Sequence, residues 1–304
     1  MIKLIKSFEG IINAARGNGG KTISVAVAQD REVLLAVKSA NDLGIANAIL
    51  VGDKEGILEA ASQINMDLSG YEIIEEKDKT EACKKAVTLI TEGRAQILMK
   101  GMVDTAIILK AALEEKAGLR TGNVLSHVAV FEVDKYDKLF YITDAGMNIA
   151  PDLKQKKQIT ENVVKVAHAL GNREPKVAVL AAVERVNPKM PATLDAEALV
   201  DMNIKGEITG CIIGGPFALD NAVSLDAAKH KGIDHPVAGN ADILVVPTIE
   251  AGNILYKSIS FLADGKSSGI VVGAKVPMVV TSRADSDEAK LNSIAIGALI
   301  AGLK

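Results

Sequence analysis

Aromatic residues make up 3% of the 304-residue chain, and tryptophan is absent. A core poor in rings has to be built from Val, Ile, Leu and Ala, the composition of parallel sheets covered by helices on both faces. There are two cysteines, Cys83 and Cys211, each without a second one nearby. That excludes a Cys-rich zinc cluster and predicts reduced thiols in a cytoplasmic protein rather than a disulfide scaffold. Strong basicity is also missing. The formal charge is −3, and nothing in the sequence forms the positive surface a nucleic-acid binder needs. No run approaches the ~20 apolar residues that cross a bilayer. Near the N-terminus, Lys3, Lys6, Glu9 and Arg16 interrupt the apolar residues, which predicts an amphipathic first helix instead of a signal peptide.

Several catalytic signatures are absent as well. There is no G-x-G-x-x-G after a strand and no G-x-x-x-x-G-K-[ST], so dinucleotide and P-loop fingerprints are excluded. No G-x-S-x-G elbow occurs, and neither cysteine has a neighbouring base, so a covalent acyl-enzyme is not indicated. The four histidines, His127, His168, His230 and His235, form no H-E-x-x-H and no carboxylate-flanked set. No metal site and no bound cofactor are expected.

What the chain does contain is a rhythm. Short β-branched runs at 23–28, 48–52, 71–74, 96–101, 127–133, 139–143, 176–182, 208–215, 242–248, 269–273 and 276–281 alternate with segments of helical period. In one such segment Ile159, Val163, Val166 and Leu170 fall on one face. In the last, Leu291, Ile294, Ala295, Ala298 and Leu299 do the same. The pattern predicts βαβ units and mostly parallel sheets. One antiparallel hairpin is expected, around Asp134–Lys138. It suits a junction between two α/β/α lobes: residues 1–126 with the C-terminal helix from about 285 to 304, and residues 127–284.

In open α/β folds ligands gather where strands end and helices begin. The polar residues at those points are therefore the candidates. Lys100, Gly101 and Thr105 follow one strand run, with Lys110 on the next helix. Asp144 and Asn148 follow another, Gly215 and Pro216 a third, and Gly252 and Asn253 a fourth. Ordinary turn and capping chemistry explains most of these as well as ligand binding does. Ser282, Arg283 and Asp285 open the last helix. Arg283 is the least ordinary, because a cation at the positive end of a helix is unfavourable and implies an anionic partner.

Five strand-end segments, LMKGMVDT (98–105), ITDAGMNIAPD (142–152), GPFALDNAVS (215–224), ADILVVPTIEAGNILYK (241–257) and VPMVVTSRADS (276–286), occur in this order. Together they resemble the phosphate acetyl/butyryltransferase family over nearly the whole chain, and the wording of the third and fifth is similar to its butyryl branch. The resemblance implies two α/β/α lobes related to isocitrate and isopropylmalate dehydrogenases, an active site in the interdomain cleft, and a homodimer or higher homo-oligomer. It also implies reversible acyl transfer between coenzyme A, a substrate and not a cofactor, and inorganic phosphate in a ternary complex. Ser282 and Arg283 match the family's Ser-Arg pair, so Ser282 is expected to bond the thioester carbonyl and Arg283 to hold phosphate. Two positions depart from the acetyl branch. Lys110 stands where an arginine is usual, and Ala289 where a catalytic aspartate falls, which leaves Asp285, Asp287 or Glu288 as base, with Asp285 preferred. The rival expectations are a phosphate acetyltransferase, a metal- and NAD(P)-dependent decarboxylating dehydrogenase of the same fold, and a non-catalytic sensor of CoA esters.

Overall fold

The computed structural model describes residues 4–17, 20–282 and 285–303. The chain begins with α1 (Phe8–Arg16), followed by β1 (Lys21–Ala26), α2 (Arg31–Asp42), β2 (Ala46–Gly52), α3 (Lys54–Gln63), β3 (Glu72–Glu75), α4 (Lys79–Thr91), β4 (Ile97–Lys100) and α5 (Thr105–Leu113). The hairpin β5 (Ser126–Val133) and β6 (Tyr136–Thr143) comes next, then α6 (Leu153–Ala169), β7 (Lys176–Leu180), α7 (Pro191–Ile204), β8 (Ile212–Phe217), α8 (Leu219–Val223), α9 (Leu225–His230), β9 (Ile243–Val245) and α10 (Ile249–Leu262). The last elements are β10 (Lys266–Val272), β11 (Met278–Val279) and α11 (Asp287–Ala301). No helix among the described residues is long and apolar enough to cross a membrane.

Two compact units result. The first is Phe8–Asn123 together with the chain from Ser268 onward; the second is Val124–Ser267 with the short stretch before Phe8. The sequence predicts that the described stretch 268–282 belongs with the second lobe. The structure places it in the first, because β11 pairs in parallel with β4, Leu98 opposite Met278 and Met99 opposite Val279. A pairing across so long a stretch of chain has no local signature.

In the first unit the strands run in the order β3-β2-β1-β4-β11-β10. All neighbours are parallel except β10 and β11. The order reverses at β1: β2 and β3 build to one side of it and β4 lies on the other. A crevice opens at such a switch point, outside the carboxyl ends of the strands. The core is aliphatic, with Ile23, Leu34, Leu50, Ile97, Leu98 and Met99 fully buried. Helix α11 packs against α1 and α2. Its periodicity predicts one apolar face, yet Ile294 through Leu299 are all buried, as expected of a helix enclosed on every side.

The second unit has the order β5-β6-β9-β7-β8, with the hairpin antiparallel and the remaining pairs parallel. It holds every aromatic residue except Phe8 and Tyr71. Phe131 stacks on Phe140 at 5.5 Å and meets Tyr256 edge-on at 5.3 Å. The hairpin start is tied to β9: Lys138 Nζ donates to Asp242 Oδ1 at 2.6 Å, and Tyr136 Oη to the Ala241 carbonyl at 2.6 Å.

Gly215, at the end of the predicted run, and Pro216, read from sequence as following it, both lie inside β8. The register between β7 and β8 shifts there: Ala178 faces Gly214, and Leu180 faces Phe217. This is a bulge with an extra residue on β8. A Cβ on Gly215 would stand 2.8 Å from the Val179 carbonyl oxygen, so only glycine admits the close approach of β7. β8 is the edge strand, where a proline without its N–H is tolerated.

Candidate active site

In the first unit, the loops after β1, β4 and β11 lie together at the carboxyl ends of adjacent parallel strands. Ala26 stands level with Lys100, and β11 ends beside Met99. The loop after β4 is stitched to the end of β1. Gly101 donates its N–H to the Ala26 carbonyl and Met102 to that of Val27, both at 2.8 Å. A Cβ at Gly101 would sit 2.1 Å from the Val27 oxygen, so this glycine is demanded by backbone contact. Val27 itself has φ of 57°, a left-handed conformation that a β-branched residue strongly disfavours. Such strain persists where the surroundings over-determine it, and it clusters at working sites. No feature of the sequence marked Val27, because strain depends on what the chain packs against.

Lys100 is 6% exposed, and its Nζ donates to the Gly101 and Val103 carbonyls at 3.3 Å each. Its charge is thus fixed within its own loop at the switch point. Thr105 opens α5 and is half-buried. Lys110 is exposed on α5 and lines a separate groove of about 300 Å³ with Thr80, Lys84 and Glu114.

Beyond β11, Ser282 and Asp285 are bonded to each other. Ser282 is exposed; its N–H donates to Asp285 Oδ2 at 2.7 Å, and the Asp285 N–H donates to the Ser282 carbonyl at 3.2 Å. Lys290 Nζ donates to the Asp285 carbonyl. Ser286 then caps α11, accepting from the Ala289 N–H at 3.1 Å, and the exposed carboxylates of Asp287 and Glu288 occupy its first turn. Arg283 lies outside the described residues.

The carboxyl-end loops of the second unit are organised differently. Asp144 is 3% exposed, and its carboxylate accepts from the N–H groups of Gly146, Met147 and Asn148 and from the Asn148 side-chain amide. Asn148 Nδ2 also donates to the Leu125 carbonyl at 2.8 Å. Gly252 packs where a Cβ would meet the Asp144 carbonyl oxygen at 2.6 Å, and Asn253 Nδ2 donates to the Ala145 carbonyl at 3.2 Å. The start of α10 is therefore fastened to the Asp144 loop. The Glu250 carboxyl is held below its usual range by its own backbone N–H and by the Thr248 hydroxyl. A carboxylate already complements that helix end. In this unit the candidate side chains Asp144, Asn148 and Asn253 bond one another's loops and the segment before β5.

Both thiols are buried, and burial pushes Cys83 and Cys211 up to about 11. Neither is a thiolate near neutral pH, and neither can act as an acyl-accepting nucleophile in that state.

An exposed serine and a buried lysine thus lie in adjacent loops at the ends of parallel strands. A family model described as Phosphate acetyl/butaryl transferase matches residues 7–85 and 75–298. The chain belongs to this family and is a phosphate acyltransferase.

The phosphate butyryltransferase of Clostridium acetobutylicum is 51% identical over 301 residues, spanning 99% of this chain and 100% of its own. A branched-chain phosphotransacylase structure from Enterococcus faecalis superposes with a TM-score of 0.83 at 37% identity, over 93% of this chain and 99% of that one. A 4-hydroxythreonine-4-phosphate dehydrogenase from Klebsiella pneumoniae shares the fold alone, with a TM-score of 0.55 at 12% identity over 93% of this chain and 100% of that one. The kinship with dehydrogenases expected from the sequence therefore holds for architecture.

Proposed function

We propose that the chain is a phosphate butyryltransferase, converting butyryl-CoA and inorganic phosphate reversibly into butyryl phosphate and free CoA. The observation that carries the reading is the exposed Ser282 at the end of β11, in a turn fixed by Asp285 beside the Lys100 loop. A phosphate oxygen attacks the thioester carbonyl carbon, negative charge develops on the carbonyl oxygen, and the C–S bond breaks as CoA leaves. Ser282 Oγ donates a hydrogen bond to that developing oxyanion, a contribution worth about 3–4 kcal/mol in comparable sites. Arg283 pairs with phosphate in forked geometry, and Lys100 and Gly101 shape the neighbouring loop. Asp285 takes the CoA thiol proton in the reverse direction. The 51% identity to a butyryltransferase over almost the full chain supports the butyryl preference.

The enzyme acts in the cytoplasm, as a homodimer or higher homo-oligomer. Supporting the latter, α10 leaves Ile254, Phe261 and Leu262 exposed by 67%, 65% and 84% at i, i+7 and i+8, an apolar stripe suited to burial against a second copy.

The test is release of free CoA, followed with a thiol reagent, from acetyl-, propionyl-, butyryl- and valeryl-CoA. Release should require phosphate and peak at butyryl-CoA, with neighbouring chain lengths about 10-fold or more slower, the scale of one methylene in an apolar pocket. Phosphate-independent release would make the protein a thioesterase. NAD(P)H formation with Mg²⁺ and no CoA release would make it a dehydrogenase.

A further inference from the structure

We propose that Lys290 is a positioning residue for this reaction, holding Asp285 and, through it, the main chain of Ser282, so that Ser282 is presented to the thioester. The inference rests on the reading of Ser282 given above. Lys290 is 3% exposed and sits in the first turn of α11. Both circumstances are unfavourable for an ammonium: the helix N-terminus carries partial positive charge, and burial strips the cation of water. A lysine in such a place calls for a compensating bond. Its Nζ donates to the main-chain oxygen of Asp285.

That bond is not needed to start the helix. Ser286 already caps it through the Ala289 N–H, and Asp287 and Glu288 already complement its dipole. What the bond does is reach one residue beyond the cap, into the turn. Asp285 is the residue that accepts the Ser282 N–H with its carboxylate and donates its own N–H to the Ser282 carbonyl. Ser282, Asp285 and Lys290 thus form a chain of bonds, and its far end is anchored in a helix buried from Ile294 to Leu299. Through it the rigidity of α11 passes to the main chain of Ser282. Pre-organised donors of this kind carry catalytic weight because they need no rearrangement as charge develops.

A double-mutant cycle on the full-length enzyme tests this, read as kcat and KM for phosphate-dependent CoA release from butyryl-CoA. K290M is expected to lower kcat about 30-fold while KM for butyryl-CoA stays within threefold. K290R, which keeps the donor, is expected to stay within fivefold of the parent. The double variant S282A/K290M should be no slower than S282A alone, because Lys290 acts through Ser282. Should K290M fail to fold, the same cycle is run on K290Q with the same expectation of non-additivity. A K290M kcat within twofold of the parent, a K290R as slow as K290M, or losses that multiply in the double variant would each overturn the proposal. A multiplying loss with S282A impaired sinks the Lys290 role alone. An S282A enzyme with full kcat sinks the Ser282 reading beneath it.

Discussion

The two units present the same architectural feature, loops at the carboxyl ends of parallel strands, and use it in opposite ways. In the first unit the turn after β11 keeps Ser282 exposed while its backbone is held by Asp285. In the second, Asp144 is buried and accepts from its own loop, while Asn148 and Asn253 donate to the Leu125 and Ala145 carbonyls of neighbouring segments. Core composition differs in parallel: aliphatic beneath the first set of loops, ring-bearing beneath the second. A polar residue at a strand end is therefore not by itself a ligand residue. What differs between the two is exposure: Ser282 lies at the surface, whereas Asp144 is 3% exposed.

The sharpest way to break this comparison is to remove the charge the first unit adds at its turn. Arg283→Ala should lower kcat/KM for phosphate-dependent transfer by about a thousand-fold while the melting temperature stays near that of the parent, measured by steady-state kinetics and thermal unfolding. Near-parental activity would remove Arg283 from the mechanism. The mirror experiment in the second unit is Asp144→Ala. It strips a buried acceptor from several loop N–H groups, and should cost about 2–4 kcal/mol of stability, seen as a midpoint shift in urea. A stable Asp144→Ala enzyme without turnover would place Asp144 on the substrate and erase the contrast.

Gly101→Ala sharpens the picture inside the first unit. The added methyl would meet the Val27 oxygen at 2.1 Å, so the loop has to move, at a cost of about 1–3 kcal/mol with a matching fall in activity. The smallest effects concern titration. Cys83 and Cys211, buried and pushed up to about 11, should resist a thiol reagent in the native enzyme and react once it is unfolded. That also keeps the enzyme's own background low in the CoA-release assay. Glu250, whose carboxyl is depressed by its backbone N–H and the Thr248 hydroxyl, supports the start of α10 above the ordinary glutamate range and loses that support as pH falls through its depressed value. Glu250→Gln should flatten the acid limb of a stability–pH curve by a small amount.

Much of this was legible in the sequence because it is local. Each of the β-branched runs falls on one of the strands β1 to β11, and the helical period of 155–170 marks α6, since alternation and spacing are imposed by the immediate chain. What escaped was long-range. The placement of 268–282 depends on β11 finding β4, and the continuation of the strand through Pro216 depends on a bulge against β7. Val27 looked like any other valine until Gly101 packed against its oxygen. Lys290 carried a readable signal, a lysine in the first turn of a helix, the same electrostatic oddity that drew attention to Arg283. Its burial was not readable, because that required knowing that α11 is enclosed on all sides.

The measurement that bears most directly on the account is the rate of phosphate-dependent CoA release from butyryl-CoA by Ser282→Ala beside the parent enzyme. The account predicts parental release that vanishes without phosphate, and a loss of about 100-fold or more in the variant at an unchanged melting temperature. A folded Ser282→Ala enzyme within threefold of the parent would contradict it and move the chemistry away from the turn after β11.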